Sequence, residues 1–352
     1  MLKTCGGAFE SWGEMSRLFY GNFDFETELR DGRRTDDQPS GRIARGLRGA
    51  WLALAEPGDW VVGPDEQLCQ VEHADAGLVG VRRAPEKRPE RMTELVPWGW
   101  SSAVLIATKG WGLRVAAPPL EAVRLVNRRS FRASVEQQFD IAQEGLVLCT
   151  SLADVALSLQ SITPRGLRYD WVIKAEFGMA GRQAWRGSGP TLSPQGVGWL
   201  AHRLKESGCV VVEPWLEAVT EGSLQFDIPL EGPPRLRGIS SQVVDATGVY
   251  RASQVSPASF ARFAAAIPAG ERIAERVQVE GYCGPLGLDV MWYRSAEGDE
   301  RLRLLQDLNA RMTMGYLAVA AAERVGTAIE WSPRSSATEL VGPEVTRLGE
   351  GV

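Results

Sequence analysis

The sequence predicts an α/β (α+β) chain with a small open-sheet α/β domain over residues 1–120, a larger mixed domain over residues 121–331, and a loose polar tail over residues 332–352. Three observations carry this. A length of 352 residues corresponds to about two domains. Before residue 120, short apolar runs alternate with short helical stretches and stop at Gly and Pro, the pattern of a small open sheet. After residue 120 the signals sharpen, and they culminate in a strand, Leu304 to Arg311, that carries an acid, an amide and a cation at alternate positions.

In the first domain, Asp59-Trp60-Val61-Val62 reads as a strand stopped by Gly63-Pro64, and Leu78 to Val81 as a second short strand. Arg82 to Arg91 is charged and Pro-rich and reads as a loop. Ser101 to Lys109 reads as a helix, and Leu113 to Ala116 as a strand ending at Pro118-Pro119. Trp98, Gly99, Trp100 and Trp111 form an aromatic group suited to core packing or a domain interface.

Past the boundary, Leu120 to Val126 and Ser130 to Ile141 read as helices, and Ser151 to Gln160 as an amphipathic helix capped by Ser151. Trp171-Val172-Ile173-Lys174 is a buried strand ending in a lysine, and it runs into the loop Phe177 to Arg182 with Gly178 and Gly181; Gly187 and Gly189 follow. Glycines let the backbone approach closely, and successive N–H groups can cradle phosphate, although an ordinary β-turn has the same look. The loop is not a P-loop, because the lysine precedes the glycines. Ser193 caps a helix from Pro194 to Glu206, with proline at the first helical position. Cys209 to Glu213 is a strand ending in an acid, followed by Pro214-Trp215-Leu216, then Glu221 and a strand from Ser223 to Ile228.

Gly287 to Tyr293 is an apolar strand holding Asp289, and a hairpin at Ser295 to Glu300 returns the chain to Leu304. Side chains at every second strand position share a face, so Asp307, Asn309 and Arg311 stand side by side. Pairing the two strands sets Asp289 against Asp307. Two facing carboxylates repel, which favours a bound cation. Hard oxygen ligands beside a fixed cation suit Mg²⁺ on a polyphosphate; a solvated polar strand face is the alternative.

Composition narrows the function classes. A net charge of -5 argues against a nucleic-acid surface, so an anionic ligand would depend on local Lys, Arg and backbone N–H groups. Cys5, Cys69, Cys149, Cys209 and Cys283 show no CxxC spacing and read as reduced thiols. No apolar run has the length of a membrane span, and the start lacks an apolar signal core, so a cytoplasmic location is expected. With only His73 and His202, a Ser-His-Asp triad or a histidine-rich zinc site is disfavoured, leaving carboxylates, Lys and Arg to carry any chemistry.

In this order the motifs resemble those of the ATP-grasp superfamily, over roughly Asn127 to Gly326, with a weaker likeness upstream to the small α/β domain such enzymes carry. Val126-Asn127-Arg128-Arg129-Ser130-Phe131 is similar to the segment that opens the family's nucleotide domain. Val172-Ile173-Lys174 with the glycine loop looks like the nucleotide-binding lysine strand and its flap. Val211-Val212-Glu213-Pro214-Trp215-Leu216 looks like the adenine hinge. Asp289 and the run Asp307-Leu308-Asn309-Ala310-Arg311 look like the metal strands. Two positions depart from the pattern: Arg129 stands where lysine is usual, and Asp307 where glutamate is usual. Each keeps its charge with a changed reach.

The resemblance implies an ATP-grasp fold and an ATP- and Mg²⁺-dependent carboxylate–amine ligase, which activates a carboxylate as an acylphosphate for attack by an amine. It implies that Arg129, Lys174, Gly178, Gly181, Glu213, Trp215, Leu216 and Glu221 bind ATP. It further implies that Asp289, Asp307 and Asn309 hold Mg²⁺ and that Arg311 is catalytic. The expected partners are small-molecule or peptide carboxylate and amine substrates, with no nucleic acid and no membrane; a homodimer is compatible. The alternatives are a catalytically weak nucleotide-binding module and a phosphotransferase of the same fold.

Overall fold

The computed structural model describes residues 16–32, 46–63, 67–75, 78–83, 93–162, 170–178, 183–245, 250–336 and 339–349. These residues form a five-stranded, a four-stranded and a seven-stranded sheet.

The five-stranded sheet is built from β1 (Arg17–Tyr20), β2 (Trp60–Val62), β3 (Leu68–Asp75), β4 (Leu78–Arg83) and β5 (Glu94–Pro97). Its order is β4-β3-β2-β1-β5. β1 lies parallel to β2 and β5, and β3 and β4 add antiparallel. Helix α1 (Phe25–Asp31) follows β1 and ends at Gly32, whose left-handed conformation closes the helix. Helix α2 (Ser102–Ala107) is capped by Ser101, which accepts from the Val104 amide.

Two expectations for this region change. Leu113 to Ala116 forms no strand and makes only the bridge from Arg114 to Glu94. Gly110 and Gly112 turn the backbone to positive φ just before it, and prolines follow it. Arg82 and Arg83, expected in a loop, extend β4, because they pair with Gln70 and Cys69. The rest of that expected loop lies outside the described residues.

Helices α3 (Leu120–Val126) and α4 (Arg129–Gln138) lead to the four-stranded antiparallel sheet, ordered β6-β9-β7-β8, from β6 (Val147–Cys149), β7 (Asp170–Ala175), β8 (Ala184–Ser188) and β9 (Val210–Pro214). The two-residue alternation sorts its faces. Trp171, Ile173, Val210 and Val212 pack with Val155, Leu159 and Leu200 of helices α5 (Leu152–Ile162) and α6 (Pro194–Ser207). Lys174, Arg186 and Glu213 fall on the opposite face, since Val172 pairs with both Arg186 and Glu213. His202 is exposed on α6.

The seven-stranded antiparallel sheet has the order β14-β13-β10-β11-β12-β15-β16. Its strands are β10 (Glu217–Ile228), β11 (Arg235–Val244), β12 (Tyr250–Val255), β13 (Gly284–Arg294), β14 (Glu300–Asn309), β15 (Ile329–Ser332) and β16 (Glu344–Arg347). Only Trp215 and Leu216 separate β9 from β10, so the hinge expected from sequence joins these two sheets. Helices α7 (Pro257–Phe263) and α8 (Ile267–Val279) cover the face carrying Leu224, Phe226 and Leu288; Gly222 and Gly270 have no Cβ, which lets Phe263 and the β10 side chains close up. Helix α9 (Met314–Val325) lies across the other face, where Gly315 admits Gln225 and Ser240.

The tail does not behave as a loose segment. β16 pairs with β15 along its length, and Gly49 sits against the Val341 backbone with no space for a side chain. Apolar Ile329 and Trp331, both fully buried, anchor the strand that β16 joins. One hydrophobic core also runs across residue 120: Phe19, Trp51 and Trp98 share it with Phe226, Leu317 and Trp331. Arg324 reinforces that joint by donating to the Leu52 and Ala55 carbonyls.

Candidate nucleotide and metal site

The polar face of the four-stranded sheet meets β14 of the seven-stranded sheet, and Arg129, Lys174, Glu213 and Asp307 come together there. Glu213 is 1 % exposed and makes three ion pairs. Arg132 Nη2 donates to Glu213 at 3.0 Å, Arg303 Nη2 donates at 2.7 Å, and the Lys174 ammonium also contacts the carboxylate. Glu136 lies beside both guanidiniums, 3.4 Å from Arg132 and 3.4 Å from Arg303. Burial alone would push the Glu213 carboxyl up. Arg132, Arg303 and Lys174 outweigh it and hold the group well below the usual carboxylate range. Burial lowers the Lys174 ammonium, with Arg132 and Arg303 acting in the same direction and Glu213 and Asp307 against it.

Asp289 on β13 stands directly opposite Asp307 on β14, as the sequence predicts. Desolvation and the facing Asp307 push the Asp289 carboxyl up to about 6, against donation from Ser223 and Asn309. Asp307 goes the other way, because Arg129, Lys174 and Arg132 outweigh its desolvation. One acid of the pair is therefore held ionised while the other binds a proton more tightly. The donor set fits a divalent cation, which would relieve that repulsion with two hard oxygen ligands.

Four expected roles are altered by tertiary contacts. Asn309 Oδ1 accepts from Arg311 Nη2 at 2.9 Å, while its Nδ2 donates to Asp289 at 3.1 Å. Its amide oxygen thus faces Arg311, and it would have to turn over to reach a cation between the acids. Arg311, expected to face substrate, is largely engaged by the protein. Its Nε and Nη2 contact Glu26 at 2.5 Å, and its Nη1 donates to the Met312 carbonyl at 2.8 Å. Trp98 lies beneath it, 5.7 Å from guanidinium to ring centre. Arg129 donates to the Ala175 carbonyl at 2.7 Å and the Gly178 carbonyl at 3.0 Å, and lies 3.6 Å from Asp307. It thereby ties Ala175 and Gly178 to Asp307 on β14. Glu213, expected to bind ATP, has its carboxylate in the buried ion network.

The other expected hinge residues are open to solvent. Trp215 is 40 % exposed, and the Arg186 guanidinium lies 3.3 Å from its ring centre. Leu216 is partly exposed beside it. Burial pushes the Glu221 carboxyl up, with Lys174 and Arg186 opposing. Gly181 and Arg182 lie outside the described residues. Arg251 pairs with Asp245 at 2.5 Å.

Sequence reading missed Glu26, Arg132, Glu136 and Arg303. Glu136 sits one helical turn after Arg132, a spacing that was available as a signal, whereas a register shift in the β13–β14 pairing separates Arg303 from Asp307. Nothing local marks Glu26. The reading also passed over the function of Asn127, whose amide oxygen accepts from the Ala310 N–H at 3.0 Å and whose amide nitrogen donates to the Ala310 carbonyl at 3.2 Å. That reciprocal pair pins the backbone between Asn309 and Arg311.

No protein-family model matches the chain, and no curated protein matches it. Solved structures do. Pyruvate carboxylase of Rhizobium etli aligns with TM-score 0.51 and 14% identity, over 90% of this chain and 28% of that one. The Staphylococcus aureus N5-carboxyaminoimidazole synthetase complexed with ADP aligns with TM-score 0.47 and 12% identity, over 68% of this chain and 64% of that one. The biotin carboxylase domain of Hydrogenobacter thermophilus 2-oxoglutarate carboxylase, complexed with MgADP and bicarbonate, aligns with TM-score 0.46 and 10% identity, over 68% of this chain and 58% of that one. The chain thus spans less than two thirds of the length of each. At such identities the likeness concerns the fold alone, and it rests on the alignment with pyruvate carboxylase: the chain has the ATP-grasp fold.

Proposed function

We propose that the chain binds MgATP between the four-stranded and seven-stranded sheets and acts as an ATP-dependent carboxylate–amine ligase that forms ADP. The observation that carries this is the convergence of Lys174 and the hinge, from one sheet, on the facing pair Asp289 and Asp307 of the other. Lys174 would meet a phosphate, Trp215 and Leu216 would flank the base, and Glu221 would take the ribose. Asp289 and Asp307 would hold Mg²⁺, which when bound neutralises charge on the transferring phosphoryl group. Arg129 holds the glycine loop at its base, so the loop can exclude water from a labile phosphorylated substrate. Asn127 fixes the backbone that carries Asn309 and Arg311. The preceding domain closes one wall of the site through Glu26 and Trp98. The substrates would be a carboxylate and an amine.

A second reading has its own observation. Glu26 and Asn309 already occupy most of the Arg311 fork, as suits a module that binds nucleotide without turnover. Incubation with MgATP and panels of carboxylates and amines, following phosphate, ADP and AMP, separates the readings. Phosphate and ADP release that needs both co-substrates supports the ligase. MgADP binding without turnover on any panel supports the module, and transfer to one acceptor supports a phosphotransferase.

A further inference from the structure

The ion network behind the hinge carries an inference that rests on the nucleotide reading and extends it. We propose that Glu213, held by Arg132 and Arg303, is a positioning residue that acts on nucleotide only through Lys174. Lys174 arrives from β7, Glu213 from β9, Arg132 and Glu136 from α4, and Arg303 and Asp307 from β14. Arg132 is 1 % exposed and Arg303 3 % exposed, so neither guanidinium is available to a ligand. Lys174, at the open end of the group, is 9 % exposed.

The physical reason is desolvation. A buried lysine tends to lose its proton, and a buried glutamate tends to gain one. A lone Lys–Glu pair in this position could relax to two neutral groups. Arginine does not deprotonate in proteins, so two guanidiniums on Glu213 keep the carboxylate ionised. That fixed anion keeps the Lys174 ammonium charged and limits where its nitrogen can sit. Arg129, Arg132, Lys174 and Arg303 face Glu136, Glu213 and Asp307, and Glu221 with Arg186 also acts on the Lys174 end. Lys174 stands at the end of the group that a phosphate could reach. Arg132 also donates to the Gln306 carbonyl at 2.9 Å, next to Asp307, so the network ties the position of Lys174 to the metal strand.

The test is a double-mutant cycle read by calorimetry with MgADP as the probe, using wild type, E213Q, K174M and the double variant between pH 6.5 and 9.5. E213Q should bind MgADP about tenfold more weakly than wild type at pH 7, the loss of one charge-assisted contact. Its affinity should fall further as pH rises, because Lys174 without its carboxylate releases its proton at lower pH while Arg132, Arg303 and Arg129 stay charged. K174M should show no such pH dependence, and the double variant should bind no more weakly than K174M. An E213Q penalty that persists at full size in the K174M background would overturn the inference. A crystal structure of wild type with MgADP checks it without any variant: the Glu213 carboxylate should stay on Arg132 and Arg303, and a direct hydrogen bond from Glu213 to the base would overturn it. Wild type that fails to bind MgADP removes the nucleotide reading and this inference together, whereas binding with an additive cycle removes this inference alone.

Discussion

Replacing Asp289 by asparagine should stabilise the metal-free protein and abolish its response to Mg²⁺. The Asp289 carboxyl is pushed from an ordinary 3.8 up to about 6 by burial and by Asp307. Between those values the folded state binds a proton that the unfolded state has released, so wild-type stability falls as pH rises from about 4 to about 6 and then levels off. The gap of about two pH units corresponds to roughly 3 kcal/mol at most, since one unit is 1.36 kcal/mol. Solvent at the partly exposed cleft reduces it, so about 1–3 kcal/mol is expected. The carboxamide introduced by D289N keeps an oxygen for the Asn309 amide and removes the charge facing Asp307. In thermal melts with chelator, D289N should match wild type near pH 4 and exceed it by a few degrees at pH 8. Added Mg²⁺ should raise the wild-type melting temperature at pH 8, with the effect fading below about pH 6, and leave D289N unmoved. A variant no more stable than wild type at pH 8, or one that still gains stability from Mg²⁺, would refute the assignment of the facing acids as a strained cation site.

Three further outcomes are expected. Glu26→Ala should destabilise the protein by about 3 kcal/mol, because it leaves the mostly buried Arg311 guanidinium without its anion; an unchanged urea midpoint would show that the ion pair contributes nothing. Gly49→Ala should destabilise by about 1–3 kcal/mol, since its methyl group would overlap the Val341 carbonyl and displace the tail; limited proteolysis should then cut ahead of β16, and wild-type resistance would contradict the docked tail. Backbone hydrogen exchange over Gln183 to Gly189 should slow on MgADP binding if β8 and its loop close over phosphate. Equal exchange with and without saturating MgADP would make this segment an ordinary connection.

Local periodicity made much of the architecture legible. The alternation from Leu304 to Arg311 placed Asp307 and Asn309 on one strand face, and the hairpin ahead of it set the register that puts Asp289 opposite Asp307. Ser151 and Ser193 announced their helices because a cap is a contact between residues three apart. The strand at Leu113 and the loose tail were misread for a shared reason. Whether a short segment pairs depends on an edge supplied by distant chain, which local composition does not describe. β16 forms because β15 offers such an edge, while Leu113 to Ala116 finds one bridge only.

By itself the sequence determined the chemistry: which charged and amide side chains exist, which share a strand face, and in what order the segments that carry them follow one another. Tertiary structure alone decided which of those groups are free to act. Glu26 reaches Arg311 from the far end of the chain, and Arg132 and Arg303 enclose Glu213 from a separate helix and a separate strand. Ion pairs of this kind depend on distance and desolvation in three dimensions, and neither is encoded in the spacing of residues along the chain.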